Sequence, residues 1–246
     1  MDFGPIPALE KALSGAPTSL PNGNFEVTYT FQLENNGTSE MCNISVAEDL
    51  DTQFGCAFVN ADPASAIAFT NTSGSSIQPT INTAYEGDFS TNFFNGDGCL
   101  FPGDLLTWEV NVEITICDLM TSPLVNIATI TAQDSDGNPV EDDSDDTSDL
   151  DTDGDPDNDS GGEDDPTFTW LPAVEITKEI SSVTTMANGN VQMDFEFIVE
   201  NTGNAPLSNL EVPDPLSNFG ASLINVLSLS VTNLSLIHIS EPTRPY

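Results

Sequence analysis

The chain of 246 residues repeats itself, and that limits its architecture more than any other feature. Residues 22–37 read NGNFEVTYTFQLENNG, and residues 188–203 read NGNVQMDFEFIVENTG. Asn22, Gly23, Asn24, Phe31, Glu34, Asn35 and Gly37 recur as Asn188, Gly189, Asn190, Phe197, Glu200, Asn201 and Gly203. The match continues through Asn43 with Asn209, Val46 with Val212 and Leu50 with Leu216, then Phe54-Gly55 with Phe219-Gly220 after a one-residue gap. Upstream, Pro7-Ala8 pairs with Pro172-Ala173. A repeat this long is a whole domain recurring rather than a short solenoid unit. One module therefore runs from about residue 7 to 172, and a second begins there and is cut short.

The repeated segments read as strands. Phe25, Val27, Tyr29, Phe31 and Leu33 alternate with Glu26, Thr28, Thr30 and Gln32; Val191, Met193, Phe195, Phe197 and Val199 alternate with Gln192, Asp194 and Glu196. Period-two alternation marks a half-buried antiparallel strand. Trp108, Val110, Val112, Ile114 and Ile116 form another such stripe, and NIATITA at 126–132 reads as the last strand of the module. Turn signals separate these runs, and Pro17, Pro21 and Pro123 break any helical alternative. The expected fold class is all-β, an Ig-like antiparallel β-sandwich, present as one complete module plus a truncated second. The expected boundaries are 7–133 for the first sandwich, 134–171 for an acidic linker, 172–233 for the start of the second sandwich and 234–246 for a tail.

Composition removes several functions. The chain has 40 Asp+Glu against 3 Lys+Arg, a net charge of -37. Such a polyanion is repelled by nucleic acid and by anionic lipid, since both require basic residues for binding. No apolar run has the length of a membrane span, and the N-terminus carries no basic-then-apolar signal pattern. The basic residues are Lys11, Lys178 and Arg244, and the one histidine is His238. Residues 234–244, LSLIHISEPTR, resemble a translated transposase-type sequencing adapter one for one, so the tail is read as adapter-derived. The remaining chain then has no His and no Arg. A Ser/His/Asp or Cys/His catalytic arrangement has no base there, and a His-ligated zinc site has no ligand. No enzymatic activity is expected.

From Asp134 to Asp165, 16 of 32 residues are acidic and none is basic. Within this zone Asp149, Asp151, Asp153, Asp155, Asp157 and Asp159 stand at alternate positions around Gly154. Hard carboxylate oxygens at that spacing suit Ca²⁺, which takes about 6–8 oxygen ligands in flexible geometry. The start resembles an EF-hand loop, but Ser160 stands where the closing glutamate belongs, and Pro156 and the absence of flanking helical patterns depart further. The expectation is a Ca²⁺-stiffened connector of roughly 0.1–1 mM affinity, in the range of extracellular modules. The alternative is a spacer extended by its own repulsion.

Cys42, Cys56, Cys99 and Cys117 all lie in the first module, with no CxxC pair. Ser208 and Ala221 stand at the positions of Cys42 and Cys56 in the second. Two disulfides in an oxidising compartment are expected, with buried thiols as the alternative. Four cysteines allow three pairings. Cys56 with Cys99 and Cys42 with Cys117 is the expected one. Asn36, Asn43, Asn71 and Asn158 begin glycosylation sequons, relevant only in a source that glycosylates secreted proteins.

The order of these motifs resembles the bacterial conserved-repeat family called domain of unknown function 11. The similar stretches are NGN with its strand and ENxG, NAPLSNLEVPDPLSNFG at 204–220, NTAYEGDFSTNFFNGDGCLFPGD from 82, NIATITAQDSDGNPVEDDSDD from 126 and PDNDSGGEDDP from 156. The four cysteines, and Phe93-Phe94 where two leucines are usual, depart from the pattern. The resemblance implies Ig-like or adhesin-like sandwiches in tandem in large secreted or cell-surface proteins, acting as non-catalytic stalk or adhesion modules. Expected partners are neighbouring repeats of the same chain and an extracellular glycan or protein ligand. An acidic coat also suits a salty medium, where repulsion is screened. The competing expectation is a carbohydrate-binding accessory module of a secreted enzyme, with Tyr85, Phe89, Phe93, Phe94 and Trp170 stacking on sugar rings. Exposure of those aromatics in a flat row would favour it.

Overall fold

A computed structural model describes residues 4–146 and 166–214. The chain divides into two compact units between Leu171 and Pro172, at the expected start of the second module.

The first unit is built of β1 (Pro7–Leu13), β2 (Thr18–Ser19), β3 (Phe25–Asn35), β4 (Met41–Ala47), a short helix α1 (Leu50–Phe54), β5 (Phe58–Ala61), β6 (Ser65–Thr70), β7 (Asp97–Leu100), β8 (Leu105–Ile114), β9 (Leu124–Asn126), β10 (Thr129–Gln133), β11 (Pro139–Asp143), β12 (Asp145–Asp146) and β13 (Thr167–Thr169). One sheet runs β12-β1-β3-β8-β5, with β2 added on β3 and β6 on β8. The other runs β11-β10-β4-β7, and β13 pairs with β9. The all-β architecture expected from the alternation is the one observed.

The alternation explains the packing. Phe25, Val27, Tyr29, Phe31 and Leu33 of β3 stand opposite Ile114, Val112, Val110, Trp108 and Leu106 of β8, and all ten are buried. Burying each such side chain stabilises the fold by about 1.5–3 kcal/mol before chain entropy is counted. Met41, Ile44, Val46, Ile130 and Ala132 supply the buried face of the second sheet. Phe93 and Phe94, from the segment between β6 and β7, enter the core. The Phe93 ring lies 5.0 Å from Phe31, and the Phe94 ring 5.1 Å from Trp108, both edge to face. These geometries add to area burial because the ring edge is positive and the face negative.

The repeated motifs have local structural causes. Asn35 accepts from the N–H of Ile6 and Gly37 and donates to the carbonyls of Ser39 and Leu100, which uses its whole amide. Gly37 cannot be replaced, since a Cβ there would lie 2.3 Å from the Gly4 carbonyl oxygen. In the second unit Asn201 makes the same turn, accepting from Gly203 N–H at 3.2 Å and donating to Ala205 O at 2.9 Å. Asn43 and Asn209, paired in the repeat, both adopt positive φ, 55° and 54°. Asparagine tolerates that region better than other non-glycine residues.

Three expectations are corrected. Residues 139–146 and 167–169, assigned to the linker, are strands of the first sandwich. β11 pairs with β10, β12 runs parallel to β1, and β13 pairs with β9. Their acids take up backbone and hydroxyl donors: Asp142 accepts from Leu9 N–H at 2.7 Å, and Asp143 accepts from the Thr129 hydroxyl. NIATITA is not one final strand. It splits at Ile127, whose N–H and C=O are both held by the Gln53 amide at 2.7 and 2.9 Å, so Asn126 belongs to β9 and Thr129 opens β10. Finally, strand register matches Pro7 to Val174 rather than to Pro172, because Pro7 stands opposite Asn35 as Val174 stands opposite Asn201. The helix α1 was not foreseen; Asp49 caps it by accepting from Thr52 N–H at 3.0 Å.

The second unit, as far as it is described, is a hairpin of β14 (Val174–Thr185) and β15 (Val191–Asn201). Its turn, closed by Met186 N–H to Asn190 O at 2.8 Å, repeats the Leu20-to-Asn24 bond of the same length in the first unit. Val174, Ile176, Ile180 and Val183 are exposed on it.

Candidate functional site

The β1 sequence PALEKAL puts Leu9, Lys11 and Leu13 on one face. Leu9 stands opposite Leu33, and Lys11 opposite Phe31, which in turn faces Trp108. A lysine thus occupies a core row, and it is 1% exposed. Its ammonium group lies 4.6 Å from the Tyr29 ring centre and 5.4 Å from that of Phe31. It pairs with the carboxylate of Glu48, which follows β4, and both side chains are fully buried.

Glu48 is held from several sides. Its N–H donates to Thr91 O at 2.8 Å, and Tyr85 Oη donates to its Oε2 at 3.2 Å. Burial, then the Glu48 charge, push the Tyr85 hydroxyl above its ordinary range, so it stays a neutral donor. The Tyr29 hydroxyl is likewise raised, by burial chiefly, and shares a 2.6 Å hydrogen bond with Thr169 Oγ1. Removal from water pulls the Lys11 amine below the usual lysine range, against the opposing attraction of Glu48.

The third member is Asn126, the last residue of β9, with no exposed surface. It stands opposite Thr167 in the β9–β13 pair, and the Thr167 hydroxyl donates to the Lys11 carbonyl at 3.5 Å. The Asn126 amide is close enough to the Tyr29 hydroxyl to act on its acidity. Yet neither Oδ1 nor Nδ2 meets full hydrogen-bond geometry with any group among the described residues. Among the described residues only three buried side-chain polar atoms are in that position, and two belong to Asn126. Leaving a buried polar group unpaired costs about 1–3 kcal/mol, and a buried ion pair contributes little net stability because both ions lose their hydration. The cluster is therefore not explained by stability.

The lysine and its acid recur. Lys178 of β14 stands opposite Phe197, the counterpart of Phe31. Its ammonium lies 4.6 Å from the Phe195 ring and 5.1 Å from Phe197, and it pairs with Asp214 at 2.8 Å. Asp214 occupies the position of Glu48 at the same offset that relates Asn43 to Asn209. The two lysines of the whole protein thus hold equivalent positions. Sequence reading missed this cluster. Its signal was a lysine inside an apolar stripe in both copies.

The other expected site residues fall elsewhere. Asp149, Asp151, Asp153, Asp155, Asp157 and Asp159 lie outside the described residues. Among the described residues no group of three or more His, Cys, Asp or Glu side chains is placed to hold a metal ion. All four cysteines are disulfide-bonded, but the expected pairing is corrected: Cys42 joins Cys99 and Cys56 joins Cys117. Cys42 and Cys99 stand directly opposite each other in the β4–β7 pair with Cα atoms 4.0 Å apart, which excludes either from another bridge. Tyr85, Phe93 and Phe94 are buried, at 2% exposure or less, while Phe89 and Trp170 are exposed. The five expected stacking aromatics therefore form no flat row.

A second carboxylate site is structural. Asp104, fully buried in the turn after β7, accepts from Thr72 N–H and Oγ1, both at 2.6 Å, from Ser73 N–H at 3.2 Å and Oγ at 2.8 Å, and from Ser76 Oγ. Burial alone would raise its pKa, but the donors outweigh it and hold the carboxyl well below the usual range. It anchors the segment following β6.

No family model and no curated protein sequence matches the chain. Among solved structures it is similar to a variant of BcpA, the major pilin subunit of Bacillus cereus, at 8% identity and a TM-score of 0.35, over 80% of this chain and 56% of that one. It is also similar to the full-length major pilin SpaD from Corynebacterium diphtheriae, at 12% identity and a TM-score of 0.38, over 80% of this chain and 50% of that one. The chain thus spans about half the length of the structures it matches, and likenesses this distant carry no argument about activity.

Proposed function

We propose that the chain is a non-catalytic structural or adhesive segment of a large secreted or cell-surface bacterial protein, built from tandem β-sandwich repeats of the domain of unknown function 11 type. The observation that carries this reading is the recurrence, in a second copy, of the same strand, turn hydrogen bonds and lysine–acid pair. Two disulfides in one module favour an oxidising, extracellular setting. No helix among the described residues is long and apolar enough to cross a membrane. The burial of Tyr85, Phe93 and Phe94 disfavours the sugar-stacking alternative.

In this reading the carboxylates of Asp149 to Asp159 bind Ca²⁺, and the cation cancels their mutual repulsion and stiffens the connector. Calorimetric titration of the full chain with Ca²⁺, paired with small-angle scattering, tests it. Saturable binding with roughly 0.1–1 mM affinity and a change in overall dimensions is expected. No heat and no change at millimolar Ca²⁺ would leave a plain charged spacer. Glycan-array binding that is lost in Phe89→Ala and Trp170→Ala would replace the structural reading with the carbohydrate-binding one.

A further inference from the structure

We propose that Lys11 and Asn126 join in an intramolecular amide bond, formed by the folded protein on itself with Glu48 carrying the proton. Lys11 and Asn126 approach the same buried side chains. Lys11 Nζ touches Glu48, both are sealed from water, and the rings of Tyr29 and Phe31 face the amine. Asn126 meets the same group of residues through Tyr29 and Thr167: its carboxamide is close enough to act on the Tyr29 hydroxyl, yet neither amide atom reaches full hydrogen-bond geometry with a described residue.

The chemistry balances without an oxidant or a cofactor. Proton transfer from the ammonium to Glu48 gives a neutral amine and a carboxylic acid. The amine lone pair attacks Asn126 Cγ while the Glu48 acid supports the carbonyl oxygen, as an acid of this kind does for acyl transfer. A proton from the attacking nitrogen passes through Glu48 to Nδ2, the Cγ–Nδ2 bond breaks, and ammonia leaves. One amide replaces another, so no redox change occurs. Burial supplies what the reaction needs: it disfavours the charged amine, strengthens the acid's action in a low dielectric and fixes the partners at high effective concentration.

A purely structural ion pair would account for Lys11 and Glu48. It would not account for a buried carboxamide without full hydrogen-bond geometry against the Tyr29 that also faces Lys11, nor for a lysine at the same strand position in both copies of a chain with almost no basic residues. Lys178 and Asp214 reproduce the lysine–acid half of the arrangement. The bond would link the first strand of the seven-stranded sheet to β9, outside that sheet.

The test is the intact mass of the folded, disulfide-reduced full chain, followed by proteolysis and sequencing of peptides by mass spectrometry. The expected mass is lower than the sequence mass by one ammonia, with a branched peptide joining the Lys11 and Asn126 segments. Localisation is essential because Asn-Gly steps such as Asn22-Gly23 and Asn95-Gly96 also lose ammonia on cyclising. Glu48→Gln should slow the bond about 100-fold or more, the usual weight of a general acid–base group, while the variant still unfolds cooperatively in urea. Asn126→Asp should give the same branched peptide with loss of water instead. A cooperatively folded wild-type chain of full mass, or ammonia loss that maps to an Asn-Gly step alone, overturns the proposal. Bond formation in Glu48→Gln at the wild-type rate overturns the role of Glu48.

Discussion

Replacing Asp104 by asparagine removes a charge and changes no volume, so its effect isolates the electrostatics of one anchor. The carboxylate accepts five hydrogen bonds, from Thr72 N–H and Oγ1, Ser73 N–H and Oγ, and Ser76 Oγ. An asparagine offers one acceptor oxygen with two lone pairs, and its NH₂ would point at donors. At least two or three charge-assisted bonds are lost, each worth about 1.5–3 kcal/mol. Detachment of the 71–76 segment relieves part of this, so the expected destabilisation is about 3–5 kcal/mol, at the upper end for single substitutions. In urea, with a slope of about 1–3 kcal/mol/M, the midpoint should fall by at least 1 M or so. Equilibrium unfolding followed by tryptophan fluorescence measures it, since Trp108 lies in the core. A loss below about 1 kcal/mol, the size of a single surface hydrogen bond, would refute the anchoring role.

Further outcomes follow from the same structure. Asp104, Asp97 and Glu113 all have carboxyl pKa values lowered by the donors around them. Their stabilisation is present above the unfolded-state values near 4 and is lost as pH falls through the folded ones. Urea midpoints measured from pH 6 downward should therefore decline, and the decline should be shallower in Asp104→Asn. Glu10, raised by burial and then by Glu34 and Asp145, works in the opposite sense, so Glu10→Gln should steepen the acid decline. Removing the Cys56–Cys117 bridge as a double serine variant frees a loop of 61 residues, a loss of about 4 kcal/mol by chain entropy. Phe93→Ala should cost about 3–5 kcal/mol, whereas Phe89→Ala, at an exposed ring, should stay within about 0.5 kcal/mol; thermal unfolding of both checks the division between core and surface aromatics.

The fold was legible where periodicity carried it. The stripe from Phe25 to Leu33 and its copy from Val191 gave the strands, and Asn35–Gly37 with Asn201–Gly203 gave matching turns. Legibility failed where a segment's composition argued for one thing and its partners for another. Asp142, Asp143 and Asp146 read as solvated linker, yet each lies in a strand paired to the sandwich. No local pattern reveals that an acid will meet a backbone donor far away in sequence, as Asp142 meets Leu9. The disulfide pairing failed for the same reason: spacing alone does not say that Cys42 and Cys99 share a register position. The buried cluster was half visible. Lys11 between Leu9 and Leu13, and Lys178 between Ile176 and Ile180, break an apolar stripe in both copies, and Glu48 with Asp214 keep the repeat's offset. Asn126 gave no signal, since its position depends on β9 pairing with β13, a strand remote in sequence.

Whether the first strand of the module is chemically tied to β9 is tested most directly by extension of single molecules under reducing conditions. If Lys11 and Asn126 are joined, pulling the first module open extends only the residues outside that loop, and the chain between them never lengthens. If they are not joined, unfolding releases the 115-residue separation as well, roughly 400 Å of extra length at about 3.3–3.6 Å per residue. The expected result is a wild-type module that lacks this increment and a Glu48→Gln module that shows it. The full increment in the wild type would contradict it.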